Sequence, residues 1–253
     1  MYAEERQKMI LDQARAHGRV EVTALADTFS VTTETIRRDL SILERLGMVR
    51  RVHGGALLVE RINFEPGRGL AEDQMMAEKR RIAKAALAEV PKEGSILIDA
   101  GTTTARLADE IPADRDLTVI TPSLPIALSL TARPKLEIML IGGRLRANTL
   151  ATVDSWALQA LRDTFVDVAF LTTSGISAAR GLTTPDLAEA AIKRAAVAGS
   201  RQCVVLADHT KIGNDYFTRF AELHEIDTFV TDDGADPEAI AGIRRGGPNV
   251  ILA

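Results

Sequence analysis

A two-part α/β chain is what the sequence predicts. A small helical module closed by a β-hairpin spans residues 1–57, a connector spans 58–72, and a Rossmann-like, mostly parallel α/β domain spans 73–253. Three observations predict it. The first 57 residues read as short helices followed by a hairpin. The connector interrupts any period with Arg61, Asn63, Pro66, Gly67 and Gly69. From residue 73 onward, short β-rich runs alternate with helical stretches, the pattern of a mostly parallel sheet covered on both faces.

The first helix turns Ile10, Leu11 and Ala14 toward a core and ends at Gly18. A second short helix carries Leu25, Ala26 and Phe29 on its apolar side, with Thr23 as its N-cap. Ser30 and Val31 make a turn, and Thr32 caps a third helix over residues 32–46. Ile36, Leu40 and Leu43 recur there at i, i+4 and i+7, so one stripe is buried. Steps of ~100° per residue put Glu34, Arg38, Ser41 and Arg45 on the opposite face, with Thr33 and Arg37 beside them near the N-terminus. Residues 48–52 read as a strand, His53-Gly54-Gly55-Ala56 as a turn and 57–59 as the returning strand.

That order is a helix-turn-helix with a basic hairpin wing. A helix of this width fits the DNA major groove. Thr33, Glu34, Thr35, Arg37 and Arg38 are therefore candidates for base edges, and Arg50, Arg51 and His53 for phosphate contacts or the turn. The plainer reading is that Glu34 and Arg38 support one another as an i, i+4 pair on a solvated helix. Charge favours DNA only locally. The whole chain carries −4, which excludes a uniformly basic coat, but residues 34–51 hold five arginines against three acids.

In the larger domain, strands are read at 95–99, 117–121, 136–141, 166–172, 202–207, 228–231 and 249–252. Helices are read at 103–111, 124–132, 155–163, 185–198 and 237–245. The first strand ends at Asp99, and Gly101-Thr102-Thr103-Thr104 opens a helix. First-turn N–H groups and the positive end of a helix dipole make such a turn an anion site, although many Gly-Thr turns are only helix caps. Its place at the carboxyl end of a parallel strand favours a ligand. Other strand ends supply Ser123, Gly143 with Arg144, Ser174 with Gly175, Thr183, and Asp208 with Lys211, while Lys193 lies on the helix after Thr183. Polar groups converging on one sheet edge describe a pocket. Glu189 and Lys193 also read as an i, i+4 surface pair, and Lys211 as a solvated loop lysine.

Neither a P-loop nor a GxGxxG fingerprint is present, and no cofactor or metal is expected. The single cysteine, Cys203, excludes an intrachain disulfide and reads as a buried thiol. No apolar stretch approaches the ~20 residues that span a bilayer. The N-terminus lacks the apolar core of a signal peptide, so a reducing cytoplasm is expected.

Phe29-Ser30-Val31-Thr32, Glu34-Thr35-Ile36-Arg37-Arg38-Asp39-Leu40, Leu43-Glu44, Gly47 and Arg51-Val52-His53-Gly54-Gly55-Ala56 resemble the signature of the DeoR family of bacterial transcription regulators. The resemblance implies that the third helix is the recognition helix. Asp39 reads as a structural partner for an arginine. In the larger domain, D-A-G-T-T-T at 99–104, I-G-G at 141–143, G-L-T-T-P at 181–185 and A-D-H-T-K at 207–211 resemble that family's sensor domain. That domain in turn resembles sugar-phosphate isomerases of the ribose-5-phosphate isomerase and glucosamine-6-phosphate deaminase type.

The resemblance implies a repressor of a carbohydrate or related catabolic operon. Its partners would be a double-stranded DNA operator and a small phosphorylated metabolite, in the first place a sugar phosphate. A homo-oligomer, dimer or tetramer, is expected because one module covers too little DNA. The sequence departs from the family pattern at Pro122 (usually Asn), at Thr173-Ser174-Gly175 (usually Ala-Asp-Gly) and at Val153-Asp154 (often Val-Gly). The competing reading is an isomerase-like enzyme with an appended DNA module and Glu189 or Asp208 as base. Ser174 argues against it by lacking the carboxylate that sugar isomerisation would want. A third reading is a sensor for an unphosphorylated ligand.

Overall fold

The computed structural model of the chain describes residues 3–17, 19–45, 48–52, 54–58 and 75–253. The expectations for Gly18, Leu46, Gly47, His53, residue 59 and the connector over 59–72 fall outside the described residues, as do the side chains of Arg45 and Arg50. The chain divides into two compact units, Met1–Phe64 and Glu65–Ala253.

The first unit comprises α1 (Ala3–His17), β1 (Arg19–Glu21), α2 (Val22–Phe29), α3 (Thr33–Arg45), β2 (Val49–Val52) and β3 (Gly55–Leu58). One core holds it together: Ile10 and Ala14 of α1, Leu25 and Phe29 of α2, and Ile36, Leu40 and Leu43 of α3 are buried together with Val20, Val49 and Ala56. The i, i+4, i+7 stripe of α3 is thus its inner face. Thr32 is the N-cap of α3, its Oγ1 accepting from the Thr35 N–H at 3.2 Å. Thr23 is not a cap: α2 begins one residue earlier, at Val22, whose N–H donates to the Gly54 carbonyl of the wing. Ser30 ends α2 in the left-handed conformation.

The wing is a three-stranded antiparallel sheet in the order β1-β3-β2. Val52 pairs with Gly55, leaving a two-residue connection, so Gly55 and Ala56 belong to the strand rather than to the turn. Gly54 takes φ +82°, which suits glycine in such a turn. Gly55 is needed for a different reason. A Cβ there would lie 2.1 Å from the Val20 carbonyl oxygen, so only glycine lets β3 lie against β1.

The second unit comprises α4 (Met76–Ala86), β4 (Glu93–Ile98), α5 (Thr102–Glu110), β5 (Asp116–Thr121), α6 (Leu124–Leu130), β6 (Leu136–Leu140), β7 (Arg144–Leu145), β8 (Thr152–Val153) and α7 (Ser155–Arg162). It continues with β9 (Val166–Thr172), β10 (Gly175–Ser177), β11 (Gly181–Thr184), α8 (Leu187–Ala198), β12 (Ser200–Leu206), β13 (Thr218–Ala221), β14 (Thr228–Thr231), α9 (Pro237–Arg245) and β15 (Asn249–Leu252). The main sheet has seven strands in the order β15-β14-β12-β9-β4-β5-β6, and every pairing is parallel. These are the seven strands expected from the sequence.

The expectation of a Rossmann-like, mostly parallel α/β domain behind a winged helix-turn-helix therefore holds. Strand side chains alternate between two cores: Leu97, Ala169, Leu171, Val205 and Phe229 on one face, and Ile96, Ile98, Phe170, Val204, Leu206 and Val230 on the other. Both faces are covered, so the strands read as continuous apolar runs. The elements that sequence reasoning did not resolve are β1 of the wing, α4 and the small antiparallel additions, β10-β11-β13 and β7-β8.

Candidate nucleic-acid interface and ligand site

On α3, residues Glu34, Arg37 and Arg38 are exposed, and Thr33, Thr35 and Ser41 are half-buried. Glu34 pairs with Arg37 at 3.4 Å, not with Arg38 as the i, i+4 spacing suggested. Arg38 enters no ion pair or hydrogen bond among the described residues, so its guanidinium is free for an external acceptor. The wing docks on the same face. The Arg51 guanidinium donates to Ser41 Oγ at 2.9 Å, and the Arg51 backbone N–H donates to Glu44 Oε1 at 2.9 Å. Thr32, Glu34, Thr35, Arg37, Arg38, Ser41 and Arg51 together line an open groove of about 520 Å³. Behind it, Asp39 is buried and accepts from Arg6 Nε at 2.5 Å and from Gln7 Nε2 at 2.9 Å. Its arginine partner therefore comes from α1, not from a sequence neighbour.

In the second unit, the strand order reverses between β4 and β9. The chain runs outward from β4 to β6, then returns to β9 and runs outward the other way. The crevice at the carboxyl ends of β4 and β9 is the switch point where such sheets bind ligands. Asp99 follows β4 there and is buried with Lys193 of α8, whose Nζ pairs with Asp99 Oδ2 and donates to the Thr172 carbonyl at 2.9 Å. The Thr172 N–H and hydroxyl both donate to the same Asp99 oxygen at 3.2 Å. Glu189 and Lys193 are thus not a surface pair. Glu189 instead pairs with Arg146, which also holds Asp186 at 3.1 Å.

The backbone at Gly101 lies against the Thr172 side chain, with no room for a Cβ. Gly101 caps α5 without a side-chain hydrogen bond, and no acid occupies the first turn of that helix. The three threonines are not equivalent. Thr102 is half-buried, Thr103 is buried, and the Thr104 hydroxyl is spent on the Asp99 carbonyl at 2.7 Å. Ser123 caps α6, accepting from the Ile126 N–H. Gly143 precedes β7, where Arg144 pairs with Asp154 at 2.5 Å, which pushes its guanidinium pKa further up. Asp154 therefore neutralises the arginine that was expected to reach an anion.

Gly175 and Thr183 face each other across β10 and β11, tied by the Thr173 hydroxyl to both carbonyls. Ser174, beside them, is half-buried. Asp208 is buried and caps the short turn at His209–Lys211, and Lys211 is half-buried. Sequence reasoning missed Thr172, Arg146 and Asp232. Asp232 grips His209 through its ring at 2.6 Å and its N–H at 2.7 Å. Burial pushes the Asp232 carboxyl up, but the His209 N–H and ring and the Gly234 N–H outweigh it and hold it below the usual carboxylate range.

The two units together define a class: a winged helix-turn-helix joined to a doubly wound α/β domain with its polar edge at a switch point. Comparison with known proteins makes it specific. The DeoR-like helix-turn-helix domain matches residues 6–61, and the DeoR C terminal sensor domain matches residues 74–233. The HTH-type transcriptional regulator GlpR of Haloferax volcanii is 35% identical over 99% of this chain and 98% of its own length. The putative aga operon transcriptional repressor of Escherichia coli O157:H7 is 30% identical over 98% of this chain and 93% of its own. The HTH-type transcriptional repressor GlcR of Bacillus subtilis is 33% identical over 92% and 89%.

The chain belongs to the DeoR family of transcriptional regulators, and these relatives carry regulator names, not enzyme names. Among solved structures, ribose 5 phosphate isomerase A from Neisseria gonorrhoeae aligns over 57% of this chain and 55% of that one. The two share 17% identity with a TM-score of 0.39. Among the described residues, no helix is long and apolar enough to cross a membrane.

Proposed function

We propose that this chain is a ligand-controlled repressor of a carbohydrate or related catabolic operon, working as a dimer or tetramer in the cytoplasm. Residues 1–57 bind a double-stranded operator, 58–72 connect, and 73–253 sense the effector. The observation that carries the reading is the exposed front of α3, where Arg38, unpartnered among the described residues, stands in an open groove with Arg37 and Arg51. Thr33, Glu34, Thr35, Arg37 and Arg38 meet base edges in the major groove, and Arg50, Arg51 and His53 meet phosphates. Two of the relatives are named as repressors.

The effector sits at the switch-point edge, among the expected residues around Asp99, Gly101, Thr183 and Asp208. A phosphate is supported by the first turn of α5, whose N–H groups carry no side-chain cap and which holds no acid of its own. An unphosphorylated ligand is the second reading, favoured by the pairing of Lys193 with Asp99 and of Arg144 with Asp154, which leaves Lys211 as the available cation of the expected set. The effector binds the DNA-incompetent arrangement more tightly and shifts the population toward it.

A mobility shift on the DNA upstream of its own operon tests both parts. The wild type is expected to retard that DNA against excess scrambled duplex, and one member of a panel of sugar phosphates is expected to release it. No preference for the upstream DNA would overturn the repressor reading. Release by plain sugars alone would overturn the phosphate reading.

A further inference from the structure

Of the three acids on α3, Glu34 and Glu44 are exposed and Asp39 is buried. Asp39 lies between Arg38, on the open front, and Leu40, in the core. Both of its oxygens are held from α1, one by Arg6 and one by Gln7. The Arg6 and Asp39 side chains keep only 9% and 4% of their exposure. An ion pair this deep carries a desolvation cost that its attraction barely offsets, so apolar substitutes of similar volume are often as stable. Stability is therefore a poor account of why charges stand there.

Orientation is a better one. The Ile36, Leu40 and Leu43 stripe fixes how deep α3 sits, but apolar contact is non-directional and tolerates rotation about the helix axis. A rotation of ~20° moves the end of a long side chain by about 3 Å, the length of a hydrogen bond. A charge-assisted bond from a planar guanidinium is directional, and it acts one residue, ~100° of helix, away from Arg38.

We propose that Arg6, seconded by Gln7, is a positioning residue for DNA recognition: acting through Asp39, it sets the rotation of α3 and hence where Arg37 and Arg38 stand in the groove. The inference rests on the reading that α3 enters DNA. The test uses the full-length protein. The wild type first selects its preferred duplex from a randomised pool. Its affinity for that duplex divided by its affinity for a scrambled one is the discrimination ratio.

Arg6→Met with Asp39→Leu removes both charges. The expected result is an unchanged thermal midpoint, affinity for scrambled DNA within about threefold because phosphate contacts set it, and a discrimination ratio lower by tenfold or more. Arg6→Lys keeps the charge but not the planar fork, and is expected to fold and lose at least about threefold in the ratio. A purely structural role would instead make any loss of the ratio track a loss of midpoint.

An undiminished ratio in either folded variant overturns the proposal while leaving the DNA reading intact. So does failure of Arg6→Lys to fold, which would make the pair a stability requirement. A wild type with no preferred duplex overturns the DNA reading and this inference with it.

Discussion

Lys193 shows how far a single residue can depart from its spacing. Four positions after Glu189 on a helix, it reads as one end of a solvated pair. In the structure it is buried against Asp99 and Thr172, and its ammonium also lies 5.5 Å from the centre of the Phe220 ring. The two readings differ in magnitude. A solvated pair is worth under about 1 kcal/mol, whereas removing one partner of a buried pair costs about 3–5 kcal/mol. Lys193→Met is therefore expected to lower stability at neutral pH by about 3 kcal/mol in urea unfolding, because it strands the Asp99 carboxylate. A loss below about 1 kcal/mol would contradict the burial.

Long-range partnerships of this kind were not legible in the sequence. Nothing local distinguishes Arg146, which holds Asp186 and Glu189, from Arg144, which holds Asp154. Cys203 was legible, because it leads directly into the apolar run Val204-Val205-Leu206. Burial pushes its thiol up to about 12, as an inert core cysteine requires.

Among the elements, α3 was the most legible, because three large aliphatic residues recur at helical spacing and a threonine sits at the cap. Helix α4 was the least. Its buried face is Lys79, Ile82, Ala83 and Ala86, a set too small and too polar to show as a stripe. The wing was read as a hairpin, but its turn was read two residues too long, since Gly55 and Ala56 already belong to the returning strand. Gly54 and Gly55 look alike in sequence and do different work: one serves the turn, the other the contact with β1.

Hydrogen exchange across the wing separates them. Gly54→Ala meets open space and is expected to cost about 1 kcal/mol of local opening energy, the penalty for a left-handed residue with a Cβ. Gly55→Ala must push β3 off β1 and is expected to cost about 2–3 kcal/mol. Equal costs would mean that β3 does not lie as close to β1 as described.

In the whole molecule, the two-part architecture was legible in the sequence. A helical period followed by a hairpin, and then β-rich runs at regular intervals, specified the winged module and the parallel sheet. The sheet was legible because both of its faces are buried, which turns each strand into an apolar run. The polar edge proposed for the ligand was legible only in outline. Strand ends announce where polar loops converge, but not which charges cancel one another, and pairing decides what remains for an anion. The proposed control of DNA binding by a small molecule implies reciprocity: an effector that weakens DNA binding must itself bind more weakly to the DNA complex, by the same factor.

The proposal that α3 reads bases in the major groove is the central one, and guanine methylation interference on the preferred duplex examines it base by base. Methyl groups at guanine N7 stand in the major groove, where arginine would donate. The wild type is expected to show interference at guanines in each half-site, and Arg38→Ala to lose it at one of them along with about tenfold or more of its preference for that base pair. No interference anywhere, or an identical pattern and undiminished preference in Arg38→Ala, would contradict the assignment of α3 as the reading helix.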